Sequence, residues 1–174
     1  MSDPREPFLP HDLDLGDDDV IEAVEVVEHE LAAPASRTSG YDGVGTRREA
    51  RERALALIFE AEQRALTPLA EILAELPLAP EPFALDLVQG VSEHQGELDA
   101  LISRLSVSWS LERMPAIDRA LLRIGAYELT YSDVPVGACI SEAVELGKRY
   151  STNDSHKFLN GMLASIAHEV RSDP

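Results

Sequence analysis

From residue 47 onward this chain of 174 residues reads as all-α. Apolar residues recur every three or four positions through nearly all of that stretch, the period of a helix that buries one face. No segment alternates apolar and polar residues over a useful length, as a half-buried strand does. A hydrophobic content of 44% is enough to build a core around such faces. The expectation is a compact bundle of six or seven helices.

Each element has its own signal. Ala50, Ala54, Leu57, Ile58, Ala61 and Ala65 form the apolar stripe of a first helix. Thr67-Pro68 reads as a cap and a first-turn proline, opening a short helix with Leu69, Ile72, Leu73 and Leu76. Pro77, Pro80 and Pro82 then predict a non-helical linker. One long helix is expected next, with Ala84, Leu87, Val88, Val91, Leu98, Ile102 and Leu105 on one face. Gly90 and Gly96 lie inside it and mark close helix packing. Ser110 suits the cap of a turn over Leu111–Met114, ahead of Pro115. A helix from about Ala116 to Tyr131 points Ile117, Leu121 and Ile124 inward, and Ser132-Asp133-Val134-Pro135 is a turn. Ile140, Val144, Gly147 and Tyr150 mark the following helix. The polar run Ser151-Thr152-Asn153-Asp154 ends it, with Asp154 as N-cap of the next. That last helix carries Phe158, Leu159, Met162, Ile166 and Val170.

Charge divides the chain. Residues 1–46 hold twelve acids and two bases, together with Pro4, Pro7, Pro10 and Pro34 and, near their end, Gly40, Gly43 and Gly45. Such a segment buries too little apolar surface to offset its ordering entropy, so an acidic, mostly disordered arm is expected there. Within it, Val20, Val24, Val27 and Leu31 share one helical face, opposed by Glu22, Glu25 and Glu28. The arm is read either as a solvated tail or as a segment that docks on a basic or apolar surface. At Arg47 the composition flips, and the folded domain is expected over 47–172.

Several function classes are excluded or lack support. Cys139 is the only cysteine, so an intramolecular disulfide and a cysteine-based zinc site are ruled out. No apolar run approaches the roughly 20 residues of a membrane span. The opening Met1-Ser2-Asp3-Pro4-Arg5-Glu6 has no apolar region of a signal peptide, so a soluble, cytoplasmic protein is expected. The histidines form no HExxH pair, and no glycine-rich phosphate loop occurs. Asp154, Ser155 and His156 have the residue types of a hydrolase triad. As chain neighbours at a helix start they point apart and cannot form the relay. No enzyme, cofactor or metal signature is found.

One local pattern suits a ligand. In Arg47-Arg48-Glu49-Ala50-Arg51-Glu52-Arg53, Arg47 and Arg51 share a helical face and Arg48 lies beside them. Guanidinium groups match phosphate, and a helix N-terminus adds partial positive charge. Equally, Arg48–Glu52 and Glu49–Arg53 are i,i+4 pairs that suit a merely solvated face. A net charge of −17 opposes nonspecific nucleic-acid binding but allows a local, oriented site.

Three stretches together carry a resemblance. They are Arg47-Arg48-Glu49-Ala50-Arg51-Glu52-Arg53-Ala54-Leu55; Met114-Pro115-Ala116-Ile117-Asp118-Arg119-Ala120-Leu121-Leu122-Arg123-Ile124-Gly125-Ala126-Tyr127-Glu128-Leu129; and Asp133-Val134-Pro135 with Ile140-Ser141-Glu142-Ala143-Val144-Glu145-Leu146 and Asp154-Ser155-His156-Lys157-Phe158-Leu159-Asn160-Gly161-Met162-Leu163. In that order they resemble the NusB family of bacterial transcription antitermination factors, over about residues 47–170.

The resemblance implies two packed three-helix halves. It implies binding of the boxA element of ribosomal leader transcripts together with NusE, a small-subunit ribosomal protein. It also implies assembly with RNA polymerase and other Nus factors, and homodimers occur in the family. Carried over by position, Arg47, Arg48 and Arg51 meet RNA, as do Lys157, Phe158 and Phe59. A lysine beside a stackable phenylalanine suits single-stranded RNA; the stripe that Phe158 shares with Met162 and Ile166 equally suits a core position. Asp118 and Arg119 open the helix that faces NusE, and Asp154 lies near both surfaces. Relatives start just before the arginine motif, so the resemblance assigns the arm no role. Two other readings stay open: an interaction module without its own RNA site, and an accessory to an RNA methyltransferase, since NusB-like domains also occur fused to RNA cytosine methyltransferases.

Overall fold

The computed structural model describes residues 46–172. The acidic arm, save Thr46, lies outside the described residues, and so does its expected disorder. Among the described residues, six α-helices and two 3-10 segments make up the regular structure. They are α1 (Arg47–Gln63), a 3-10 turn (Leu69–Glu75), α2 (Pro82–Glu93), α3 (Gln95–Leu105), a 3-10 turn (Leu111–Arg113), α4 (Ala116–Tyr131), α5 (Val136–Tyr150) and α6 (Ser155–Arg171). The all-α expectation holds.

The fold is built around α4. Asp118 and every residue from Ala120 to Leu129 are buried, the signature of a helix covered on all sides. On one side α1, α2 and the first 3-10 turn pack together; on the other, α5 and α6 form an antiparallel hairpin against α4. Helix α3 lies on both α4 and α6 and joins the two halves. One continuous core runs through them, from Leu57, Ile58 and Leu87 to Leu121, Leu159 and Leu163.

The long helix expected over 84–105 is two helices, broken at His94. No proline forces the break. The His94 ring stacks on Tyr131 of α4 at 4.0 Å, and the bend lets each half lie on α4. Gly90 behaves as expected: a Cβ there would sit 2.1 Å from Tyr127 Cζ. Gly96 does not, since nothing lies within 4 Å of its would-be Cβ. Pro82, expected in the linker, is instead the first residue of α2, where its missing N–H costs nothing; Glu81 Oε1 accepts from Ala84 N at 2.7 Å. Ala65 lies past the end of α1 and is exposed. Tyr150, expected on the buried stripe, is 45% exposed and donates its hydroxyl to Glu52. Ser110 holds its cap position without a side-chain cap bond.

Candidate nucleic-acid interface

Helix α1 begins with a reciprocal cap. Thr46 Oγ1 accepts from Glu49 N, and Glu49 accepts from Thr46 N. Glu49 thus fixes where the helix starts and how Arg47 and Arg48 are presented. The start of α5 lies opposite, after the Val134-Pro135 turn. Between them opens a groove of about 410 Å³, lined by Thr46, Arg47, Arg48 and Arg51 and by Val134, Pro135, Ala138 and Glu142. Its rim is cationic and its floor apolar.

The three arginines differ. Arg47 is exposed, with its guanidinium over the Phe83 ring at 5.2 Å. Arg48 is half exposed and forks onto Glu142, with Nε and Nη2 each 2.8 Å from a carboxylate oxygen. That hydrogen bond holds the Glu142 carboxyl below the usual carboxylate range. The i,i+4 pairs expected on a solvated face give way to contacts between helices, because Glu52 meets Arg149 and Tyr150 of α5.

Arg51 corrects the sequence reading. It is buried, and its guanidinium donates to Glu128 of α4 at 2.6, 3.0 and 3.1 Å. Phe83 covers it at 5.1 Å. Burial alone lowers its pKa, yet the Glu128 hydrogen bonds and charge prevail and hold it above the ordinary value. Its N–H groups are turned into the protein, so it supports the groove wall and does not offer itself to a phosphate.

Phe158 is likewise core, 3% exposed and packed on Trp109 at 4.9 Å. It cannot stack on a base. Lys157 is exposed in the first turn of α6, and Phe59 is partly exposed on α1. Because α5 and α6 are antiparallel, Lys157 lies near the far end of α5 from the groove. At 1.5 Å per residue that is roughly 20 Å away.

The expected partner-facing residues also separate. Asp118 is 1% exposed, an internal acceptor for Ser151 Oγ at 2.6 Å and Ser155 Oγ at 2.8 Å. Burial pushes its carboxyl above the usual range, against the lowering effect of the two hydroxyls. It pins the starts of α4 and α6 to the end of α5 and is not a surface contact. Arg119 is half buried, donating to Glu62 at 2.5 Å and to the Leu111 and Met114 carbonyls. Asp154 is exposed at the N-cap position of α6 but makes no side-chain cap bond. Ser155 Oγ instead accepts from Thr152 N at 3.1 Å.

Sequence reasoning passed over Phe83, Glu142 and the pair Arg149–Tyr150. The last had a signal, a cation and an aromatic ending an amphipathic helix. Glu142 and Phe83 had none, since their meaning depends on which helix faces them. Among the described residues no group of three or more His, Cys, Asp or Glu side chains is placed to hold a metal ion. Cys139 is buried and donates to the Gly125 carbonyl, its thiol pushed far up by burial.

A six-helix domain that brings arginines to the edge of an open groove is a helical module with a cationic face. The sequence profile of the NusB family matches residues 48–168, and the chain belongs to that family. It is 49% identical over 129 residues to the transcription antitermination protein NusB of Kineococcus radiotolerans, covering 71% of this chain and 94% of the relative. Among solved structures it is similar to NusB of T. maritima, with TM-score 0.68 and 35% identity over 75% of this chain and 96% of that one. It is also similar to a structure of the antitermination factors NusB and NusE in complex with dsRNA. There the TM-score is 0.60 and the identity 27%, over 71% of this chain and 96% of the other.

Proposed function

We propose that this protein is an RNA-binding transcription antitermination factor that binds boxA RNA of ribosomal leader transcripts together with NusE and helps RNA polymerase, with other Nus factors, resist termination. It acts by holding its partners and performs no chemistry of its own. It works in the bacterial cytoplasm; no described helix is long and apolar enough to cross a membrane.

The observation that carries the RNA site is the pair Arg47 and Arg48, exposed on the rim of an open groove. From there the seam between α1 and α5 runs past Arg149 and the exposed Tyr150 towards Lys157. A backbone laid along it meets cations at both ends and one aromatic ring between them. Arg51 serves by holding α1 on α4. Asp118 acts on the NusE side by fixing the corner at which Asp154 is exposed, and Arg119 by holding the start of α4 to α1 and to the Leu111–Met114 turn.

The test is a titration of boxA RNA by fluorescence anisotropy across ionic strength, using the wild type and an Arg47→Ala/Arg48→Ala variant. Each phosphate left without its arginine lowers the steepness of log K against log salt by about 0.7 for a single strand. A drop of about 1.4 for the two arginines supports the site, and an unchanged slope overturns it.

A further inference from the structure

The groove is more than a phosphate cradle. Val134, Pro135 and Ala138 form an apolar floor beneath Arg47 and Arg48. A nucleic-acid backbone uses the arginines and leaves that floor without a complement. An acidic peptide with a narrow apolar stripe uses both.

The chain carries such a segment next to the groove. Residues 1–46 have twelve acids against two bases. Val20, Val24, Val27 and Leu31 recur at helical spacing, and on the same wheel Asp19 and Glu30 fall to one side of that stripe and Glu28 to the other. Thr46, where this segment joins the domain, is itself a lining residue of the groove. The fourteen residues between Leu31 and Thr46 reach up to about 50 Å, so tether length does not prevent return.

We propose that the segment from Asp17 to Leu31 docks in the groove of its own chain, with its valines on the Val134–Pro135–Ala138 floor and its carboxylates on Arg47 and Arg48, and that RNA must displace it. The proposal rests on the RNA reading only for that last clause. Glu142 is the charge that opposes the arm: Arg48 exchanges the Glu142 fork for an arm carboxylate. A covalent tether of this kind supplies an effective concentration on the order of millimolar. An arm with intrinsic affinity of about 1 mM then occupies the groove half the time and weakens RNA binding about twofold.

The experiment uses the full chain and two variants altered only outside residues 46–172. One neutralises the arm: Asp17→Asn, Asp18→Asn, Asp19→Asn, Glu22→Gln, Glu25→Gln, Glu28→Gln and Glu30→Gln. The other breaks its stripe: Val24→Asp with Val27→Asp. The first readout, without RNA, is the NMR resonance of the Arg47 and Arg48 amide and Nε–H groups. The second is boxA RNA affinity against salt.

Docking predicts that both variants shift the Arg48 resonances in the same direction. It also predicts that both bind RNA about twofold tighter or more at low salt, a gain that closes as salt rises. The stripe variant separates docking from general repulsion, because its two added negative charges weaken RNA binding if the arm merely repels. Unchanged arginine resonances in both variants overturn the proposal, as does tighter RNA binding in the neutralised variant alone. Shifted resonances in a chain that binds no RNA leave the docked arm standing and overturn the RNA reading of the groove instead.

Discussion

Replacing Arg51 by methionine separates a support residue from an RNA contact. The Arg51 and Glu128 side chains are 6% and 2% exposed, with Nη2 and Oε1 2.6 Å apart. Opposite charges about 4 Å apart attract by about 4 kcal/mol at an effective dielectric constant of about 20. Methionine keeps much of the stem and its contact with Phe83 but strands the buried Glu128 carboxylate. Removing one partner of a buried pair costs about 3–5 kcal/mol. For a domain of this size that lowers Tm by roughly 10–20 °C. The double variant Arg51→Met/Glu128→Leu removes both charges. An apolar replacement of a whole buried pair is close to neutral, so most of the loss returns. Urea unfolding followed by circular dichroism measures both steps. The folded double variant is then titrated with boxA RNA, where it keeps the wild-type salt slope, whereas Arg48→Met lowers that slope by about 0.7. The reasoning is refuted if Arg51→Met costs under about 1 kcal/mol, or if the double variant loses slope as Arg48→Met does.

Glu142→Gln frees Arg48 from its carboxylate partner; an exposed pair is worth about 0.2–1 kcal/mol, so anisotropy at low salt should show RNA affinity rising up to about fivefold. Asp118 has a folded pKa raised above its ordinary value of 3.8, so the native state holds this proton to higher pH than the unfolded chain. The ionised group therefore weakens the fold progressively as pH rises from about 4 through its folded pKa, and remains a cost above it. Thermal melts should show Asp118→Asn at least as stable as wild type at pH 7, an advantage that closes towards pH 4. Asp118→Ala should cost about 1–3 kcal/mol, because two hydroxyls lose their acceptor. Gly90→Ala should cost about 1–3 kcal/mol through collision with Tyr127, while Gly96→Ala should gain up to about 1 kcal/mol; chemical denaturation of the two variants side by side checks the contrast.

The elements that the sequence announces most clearly are those with both a stripe and a terminal signal. Helix α4 starts after Pro115 and ends before Ser132 as expected, and α6 starts after Asp154. The break at His94 was invisible because its cause is tertiary. A histidine ring stacked on Tyr131 of another helix leaves no local mark in a segment whose apolar period runs on unbroken. The length of the first turn after Thr67 was legible, but not that Leu69–Glu75 would wind as a 3-10 helix. At the groove, the arginines were legible from their density. Glu142 was not, since it lies 94 residues from Arg48 in the chain.

The misread charges share a property that the sequence does display. Arg51 lies on the apolar stripe of α1, ahead of Ala54, Leu55 and Ile58 at offsets of three, four and seven. Glu128 lies on the stripe of α4, behind Leu121 and Ile124 at offsets of seven and four. A full charge on a buried stripe is tolerable only with a partner. Two such charges of opposite sign on two such stripes therefore predict each other, and they do meet. Arg123 follows the same logic, 4% exposed and forked onto Asp99 at 2.7 and 3.0 Å. Asp118, ahead of Leu121, Leu122 and Gly125, finds hydroxyls from the α5–α6 connection and the first turn of α6 instead of a cation. Arg48 and Lys157 are different: one turn on lie Glu52 and Gly161, and both cations are exposed. Arg47 shares the Arg51 face but stands in the opening turn, where it stays exposed. The three-arginine motif thus divides by helical phase: Arg51 fastens α1 to α4 through Glu128, and that attachment fixes the angle at which Arg47 and Arg48 project from the opening turn.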